Sequence, residues 1–244
     1  MWYGLLSLCV FPLAGCLHSA PAGATRGLVE IKNTHIWENP VQEKNTGILT
    51  GVAIGPNTVL TAAHTFMYEP APGHPLLINK EIVDYSVIAD GWAGKRDGRE
   101  IGDNQIDDEL VLRDYLFLRT EQVFAEHAVF KPISRERIWE FENATIVTRR
   151  IDDGQPVAIP LKKIRVSKNM DLMFAKMPSK VAEHHYLSGS PLIGTDQEGK
   201  LVLVGIASGY GTVHLDHSGG QKESKDQIFF IPAYYIPFDE LADP

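Results

Sequence analysis

The chain has 244 residues and a formal net charge of −8, with 44% of its residues hydrophobic and 22% charged. That balance is enough to bury a sizeable core, and the mildly acidic charge argues against nucleic acid as the main partner, because phosphate contacts need clustered Lys and Arg. Its 21 Gly and 15 Pro favour turn-rich β structure over a helical bundle. Its cysteines, Cys9 and Cys16, both precede the body of the chain, so the fold is expected to use neither disulfides nor a cysteine metal cluster.

Residues 2–14 are an apolar stretch too short for a typical spanning helix and match the core of a secretory signal. The stretch ends in Leu13-Ala14-Gly15-Cys16, which resembles the lipobox of bacterial lipoproteins. The resemblance implies cleavage before Cys16 and a lipid on its thiol. Leu17, standing where an aspartate would favour inner-membrane retention, implies the outer membrane in a Gram-negative cell. No Lys or Arg precedes the stretch, so an ordinary cleaved signal with an incidental Cys16 is the competing reading. The expected organisation is a signal over 1–15, a lipid anchor and flexible tether over 16–26, and one domain over 27–244.

From Gly27 onward the apolar runs are short and bounded by turn residues. Ile48 to Ile54 stops at Gly55-Pro56-Asn57, and Val59-Leu60-Thr61 resumes after it, as in a hairpin. Further strands are expected at Tyr115 to Leu118, Ala144 to Thr148, Val157 to Ile159, Leu201 to Ile206 and Ile228 to Ile231. Glu100 to Glu109 and His217 to Gln227 read as polar loops. A short helical period appears only at Ala233 to Leu241.

Three segments carry chemistry. The first ends in Thr61-Ala62-Ala63-His64: small alanines let the chain turn tightly after a strand, and histidine titrates near neutral pH, so it can take and return a proton. The second is Asp114 followed by the apolar Tyr115-Leu116-Phe117-Leu118, with Asp107 and Asp108 as competitors in a more solvated acidic segment. The third is Leu187-Ser188-Gly189-Ser190-Pro191, where the glycine gives a tight turn that exposes the serine hydroxyl. The three resemble the catalytic segments of trypsin- and chymotrypsin-like serine peptidases. The order His, Asp, Ser is that of this family and not of subtilisin or the α/β-hydrolases.

The resemblance implies an all-β fold of two six-stranded antiparallel Greek-key barrels with a short C-terminal helix. It implies a triad of His64 as general base, Asp114 orienting it and Ser188 as nucleophile. It implies an oxyanion hole from the backbone N–H groups of Tyr186 and Ser188, and a peptide-binding strand at Ser208-Gly209-Tyr210. No cofactor and no metal are implied. The form Ser188-Gly189-Ser190-Pro191 is similar to the glutamyl endopeptidase branch. That branch places a histidine just before the position of Ser208, where this chain has Ile206-Ala207, so glutamate specificity does not carry over.

Two departures matter. Tyr186 stands where the family has an oxyanion glycine, and Leu187 stands where it has Asp or Asn. Leu187 cannot pair with a new N-terminus, so the zymogen switch of digestive-type enzymes is not expected. His184 and His185 lie near the expected pocket floor, read either as partners of an acidic side chain or as surface histidines. His214, Asp216 and His217 lack a metal-motif spacing. Asp103, Asp107 and Glu109 lack the turn glycine of a calcium loop. Two functions are thus weighed: a lipid-anchored envelope endopeptidase acting on protein or peptide, and a lipid-anchored peptide-binding protein that kept the fold without turnover.

Overall fold

The strand pair leading to His64 shows how the sequence divides its apolar residues. In β2 (Val41–Gly55) and β3 (Thr58–Thr61), joined by a turn at Pro56-Asn57, Val52 faces Leu60 and Ala53 faces Val59. Side chains alternate between the two faces of a strand. Ala53 and Val59 enter one apolar core, and Val52 and Leu60 enter another. The same split recurs in β7 (Leu116–Thr120), where Leu116 and Leu118 join the first core and Phe117 the second. Strands buried on both faces read as continuous apolar runs, which is how Tyr115 to Leu118 reads.

The protein is described by a computed structural model covering residues 21–39, 41–66, 75–91, 112–128, 130–141, 143–166, 172–177, 179–217 and 220–241. Two curled sheets form it. The first contains β1 (Leu28–Asn39), β2, β3, β4 (Leu77–Ile78), β5 (Glu81–Ile82), β6 (Tyr85–Asp90) and β7, in the order β5-β4-β1-β2-β3-β7-β6. The second contains β8 (Lys131–Pro132), β9 (Asn143–Arg149), β10 (Pro156–Lys162), β11 (Arg165–Val166), β12 (Met173–Lys176), β13 (Pro191–Thr195), β14 (Leu201–His217) and β15 (Gly220–Pro232). Its order is β10-β9-β13-β14-β15-β12-β11, with β8 beside β14. The architecture is the expected all-β pair of antiparallel barrels, with seven and eight strands among the described residues rather than six each. Pairing is antiparallel except for the short parallel contact of β8 with β14.

Phe117 from the first sheet packs with Ile206 and Phe230 from the second and meets Phe238 edge-on at 5.7 Å. The seam between the barrels is therefore apolar core. The two sheets are held rigidly against each other there, because close-packed side chains resist sliding.

Several expectations are corrected. His217 to Gln227 is not a loop: β14 and β15 continue as a hairpin in which His214 faces Glu223 and His217 faces Gly220. Backbone groups carry this ladder, so a polar composition hides it. The C-terminal segment is not one helix but two 3₁₀ turns, Ala233–Tyr235 and Phe238–Leu241. Pro237 forces the break, since the residue before a proline disfavours the helical region, and Ile236 is extended with ψ 120. Residues 22–27 form turns, and Ala24 packs with Leu28, Val147 and Ile193. Strand β1 is longer than any run the sequence singles out. Cys16, and the expected loop from Glu100 to Glu109 with Asp103, Asp107 and Asp108, lie outside the described residues.

Candidate active site

His64 is placed by a 3₁₀ turn, Ala63–Phe66, that follows β3 after one residue. Ala62 and Ala63 are fully buried, so larger side chains would displace the turn. Asp114 precedes β7, which pairs with β3, and the sheet brings the two segments side by side. Both carboxylate oxygens of Asp114 then hold His64. Oδ1 accepts the His64 backbone N–H at 2.7 Å, and Oδ2 lies 2.7 Å from His64 Nδ1. A carboxylate accepts, so Nδ1 carries the proton and Nε2 is left as an acceptor. His64 Nε2 is 3.0 Å from Ser188 Oγ.

Asp114 is 1% exposed, and the His64 side chain is 30% exposed at the cleft. Burial works against the imidazolium, but the Asp114 charge and hydrogen bond outweigh it, and the His64 pKa lies above its ordinary value. A third donor reaches the carboxylate from the other barrel: the Ser208 hydroxyl bonds Asp114 Oδ2. Ser208, expected as a substrate contact, is therefore also part of the support for Asp114.

The nucleophile loop is a tight turn. Ser190 N–H donates to the Leu187 carbonyl at 2.9 Å, and Gly189 sits at the third turn position with φ +75. That conformation favours glycine. A Cβ there would also sit 2.1 Å from the Thr50 carbonyl oxygen and 2.3 Å from Thr61 Oγ1. The Ser188 carbonyl accepts the Thr50 N–H at 3.0 Å, which pins the loop to the first barrel.

Tyr186 differs from expectation. Its N–H, expected as an oxyanion donor, donates to the Arg149 carbonyl at 3.0 Å. Ile151 N–H donates to the His184 carbonyl at 2.9 Å, closing a bridge between Arg150 and His185. Tyr186 is not among the residues with positive φ, so the site does not demand glycine, and a side chain is accommodated. Its carbonyl accepts three hydroxyls: Thr50 Oγ1 at 2.7 Å, Thr148 Oγ1 at 2.7 Å and Ser190 Oγ at 3.0 Å. All three donors are fully buried. The sequence gives no sign of this clamp, because isolated Thr residues in strands have no local signature.

Beyond Ile206 the edge of β14 opposite β15 has no partner strand among the described residues. Gly209 lies on this stretch with open space beside it, and the Tyr210 hydroxyl bonds Asp226 at 2.9 Å and the Met177 carbonyl at 3.2 Å. Partial burial and then Asp226 push the Tyr210 pKa up to about 12. His184 is exposed, and His185 Nδ1 donates to the Val181 carbonyl at 2.5 Å, so the His185 ring braces the short helix Ser179–Ala182. Among the described residues no group of three His, Cys, Asp or Glu is placed to hold a metal.

No protein-family model matches the chain, and no curated protein matches it in sequence. Solved structures do match. The Rv3671c protease of M. tuberculosis in its active form is similar with a TM-score of 0.52 at 15% identity, over 99% of this chain and 93% of that one. The HtrA-type protease AlgW, solved with a decapeptide, gives a TM-score of 0.50 at 12% identity, over 87% of this chain and 63% of that one. The fold is that of the trypsin-like serine proteases.

Proposed function

We propose that the chain is a serine endopeptidase of the cell envelope, held at the membrane by a lipid on Cys16. The observation that carries the reading is the hydrogen-bonded line from Asp114 through His64 to Ser188. In it, Ser188 Oγ attacks a peptide carbonyl while His64 Nε2 takes the proton. Asp114 holds the ring in the required tautomer and stabilises the imidazolium. The proton passes to the leaving amine, and water hydrolyses the acyl-enzyme by the same route. The substrate enters as an extended strand along Ser208, Gly209 and Tyr210, adding to the open edge of β14. The anchor rests on the apolar stretch over residues 2–14 and on Leu13-Ala14-Gly15-Cys16.

The bond from the Tyr186 N–H to Arg149 favours a second reading, a peptide-binding protein without turnover. Cleavage-site profiling with a peptide library separates the two. The protein is compared with its Ser188→Ala form. The proposal predicts cleavage that vanishes in the variant. Binding retained by both forms, with no cleavage by either, would favour the second reading.

A further inference from the structure

The peptide groups around Ser188 are assigned by what each already bonds. The Gly189 N–H donates to the Ala207 carbonyl at 2.8 Å and the Ser190 N–H to the Leu187 carbonyl at 2.9 Å. The Tyr186 N–H is taken by Arg149. Among the described residues no acceptor faces the N–H of Leu187 or of Ser188. These are consecutive donors, and Leu187 is buried. A buried donor left unpaired costs about 1–3 kcal/mol, so the Leu187 N–H, followed by that of the half-buried Ser188, marks a place open to an acceptor.

Their direction follows from the carbonyls on the same peptides. The described chain has no cis peptide bond, so each N–H points opposite to the C=O of its own peptide group. The Tyr186 carbonyl is drawn into the core by three buried hydroxyls, from Thr50, Thr148 and Ser190. The Leu187 N–H of that peptide therefore faces away from the core. The Leu187 carbonyl closes the turn onto Ser190, so the Ser188 N–H faces away from the turn interior. Successive N–H groups at such a turn make an anion-binding concavity.

We infer that the oxyanion hole of this chain is formed by the backbone N–H groups of Leu187 and Ser188, with Tyr186 excluded from it. The inference rests on the serine-peptidase reading. When Ser188 Oγ bonds the substrate carbonyl carbon, the carbonyl π pair moves to oxygen and the hydroxyl proton to His64 Nε2. The new oxyanion then accepts from Leu187 and Ser188, and returns its charge when the amine leaves with that proton. Thr50, Thr148 and Ser190 act as positioning residues, because they fix the peptide that carries the Leu187 N–H. Tyr186 braces the loop through Arg149 and needs no glycine.

The test is amide NMR of the protein labelled with ¹⁵N at Leu, Ser and Tyr. Spectra are compared before and after reaction with peptidyl trifluoromethyl ketones bearing small, apolar or acidic side chains at the reacting end. The hemiketal such a ketone forms on a serine carries the oxyanion, and mass spectrometry against Ser188→Ala verifies the adduct. The expected result is a downfield shift of the Leu187 and Ser188 amide protons, with the Tyr186 amide unmoved and still slow to exchange. An adduct in which the Tyr186 amide shifts downfield and loses its protection, with Leu187 unmoved, would overturn the inference alone. Failure of every ketone to add to Ser188 would overturn the peptidase reading and this inference with it.

Discussion

The Thr148 hydroxyl donates to the carbonyl of Tyr186 at 2.7 Å, joining strand β9 to the residue two before the nucleophile. Thr50 makes the matching bond from the first barrel, so the loop is held from both sides of the seam. Thr148→Val keeps the side-chain shape and removes one of three donors. It is expected to lower stability by about 1 kcal/mol and to lower kcat more than it raises KM. Thr148→Ser keeps a hydroxyl and is expected to restore both. Thermal denaturation and steady-state kinetics on a cleaved peptide check this. Equal behaviour of Val and Ser would count against the clamp.

Ser208 supports Asp114 from the second barrel. A hydrogen bond to a charged group contributes about 1.5–3 kcal/mol. Ser208→Ala is therefore expected to lower kcat/KM by at least about tenfold while the protein remains folded by circular dichroism. An unchanged kcat/KM would show that the bond has no part in holding the carboxylate.

The pH dependence follows from His64. Its pKa is raised, and a general base must be neutral, so activity is expected to rise with pH through a midpoint above the usual histidine value of about 6.5. The imidazolium–carboxylate pair also adds stability that is complete below the unfolded value and is lost as pH rises through the folded one. In Asp114→Asn both raising causes go and burial remains, so the His64 midpoint is expected to fall below that of the wild type. Activity should drop by roughly 10⁴-fold. NMR titration of the His64 ring in both proteins measures the shift, and an unchanged midpoint would contradict the coupling.

Gly189 is the one residue of the nucleophile turn that cannot carry a side chain. Its φ of +75 and the close approach of the Thr50 carbonyl both oppose a Cβ. Gly189→Ala is expected to cost more than about 1 kcal/mol and to lower labelling of Ser188 even where folded protein is recovered. Chemical denaturation gives the first value and probe kinetics the second.

What was legible in the sequence is what is local. Ala62-Ala63-His64 after a strand, and Ser188-Gly189 in a turn, depend on residues within a few positions of one another. Asp114 is 50 residues from His64, and its place rested on the apolar strand that follows it. The strand cores were visible because their apolar residues are contiguous. The long ends of β14 and β15 were not, because backbone pairing leaves no mark in polar residues. Nor was the clamp on Tyr186, since Thr50, Thr148 and Ser190 meet only after both barrels close. Tyr186 itself departs visibly from the family pattern, but its consequence depends on Arg149, the last residue of β9, whose carbonyl takes its N–H.

The central claim is that Ser188 is a nucleophile activated by His64 and Asp114. Labelling with a fluorophosphonate probe tests it most directly, because the reaction needs an activated serine hydroxyl and little specificity. Labelling is expected at Ser188 of the wild type, none in Ser188→Ala, and strongly slowed labelling in His64→Ala and Asp114→Ala. Folded wild-type protein that stays unlabelled, or labelling undiminished in Ser188→Ala, would contradict it.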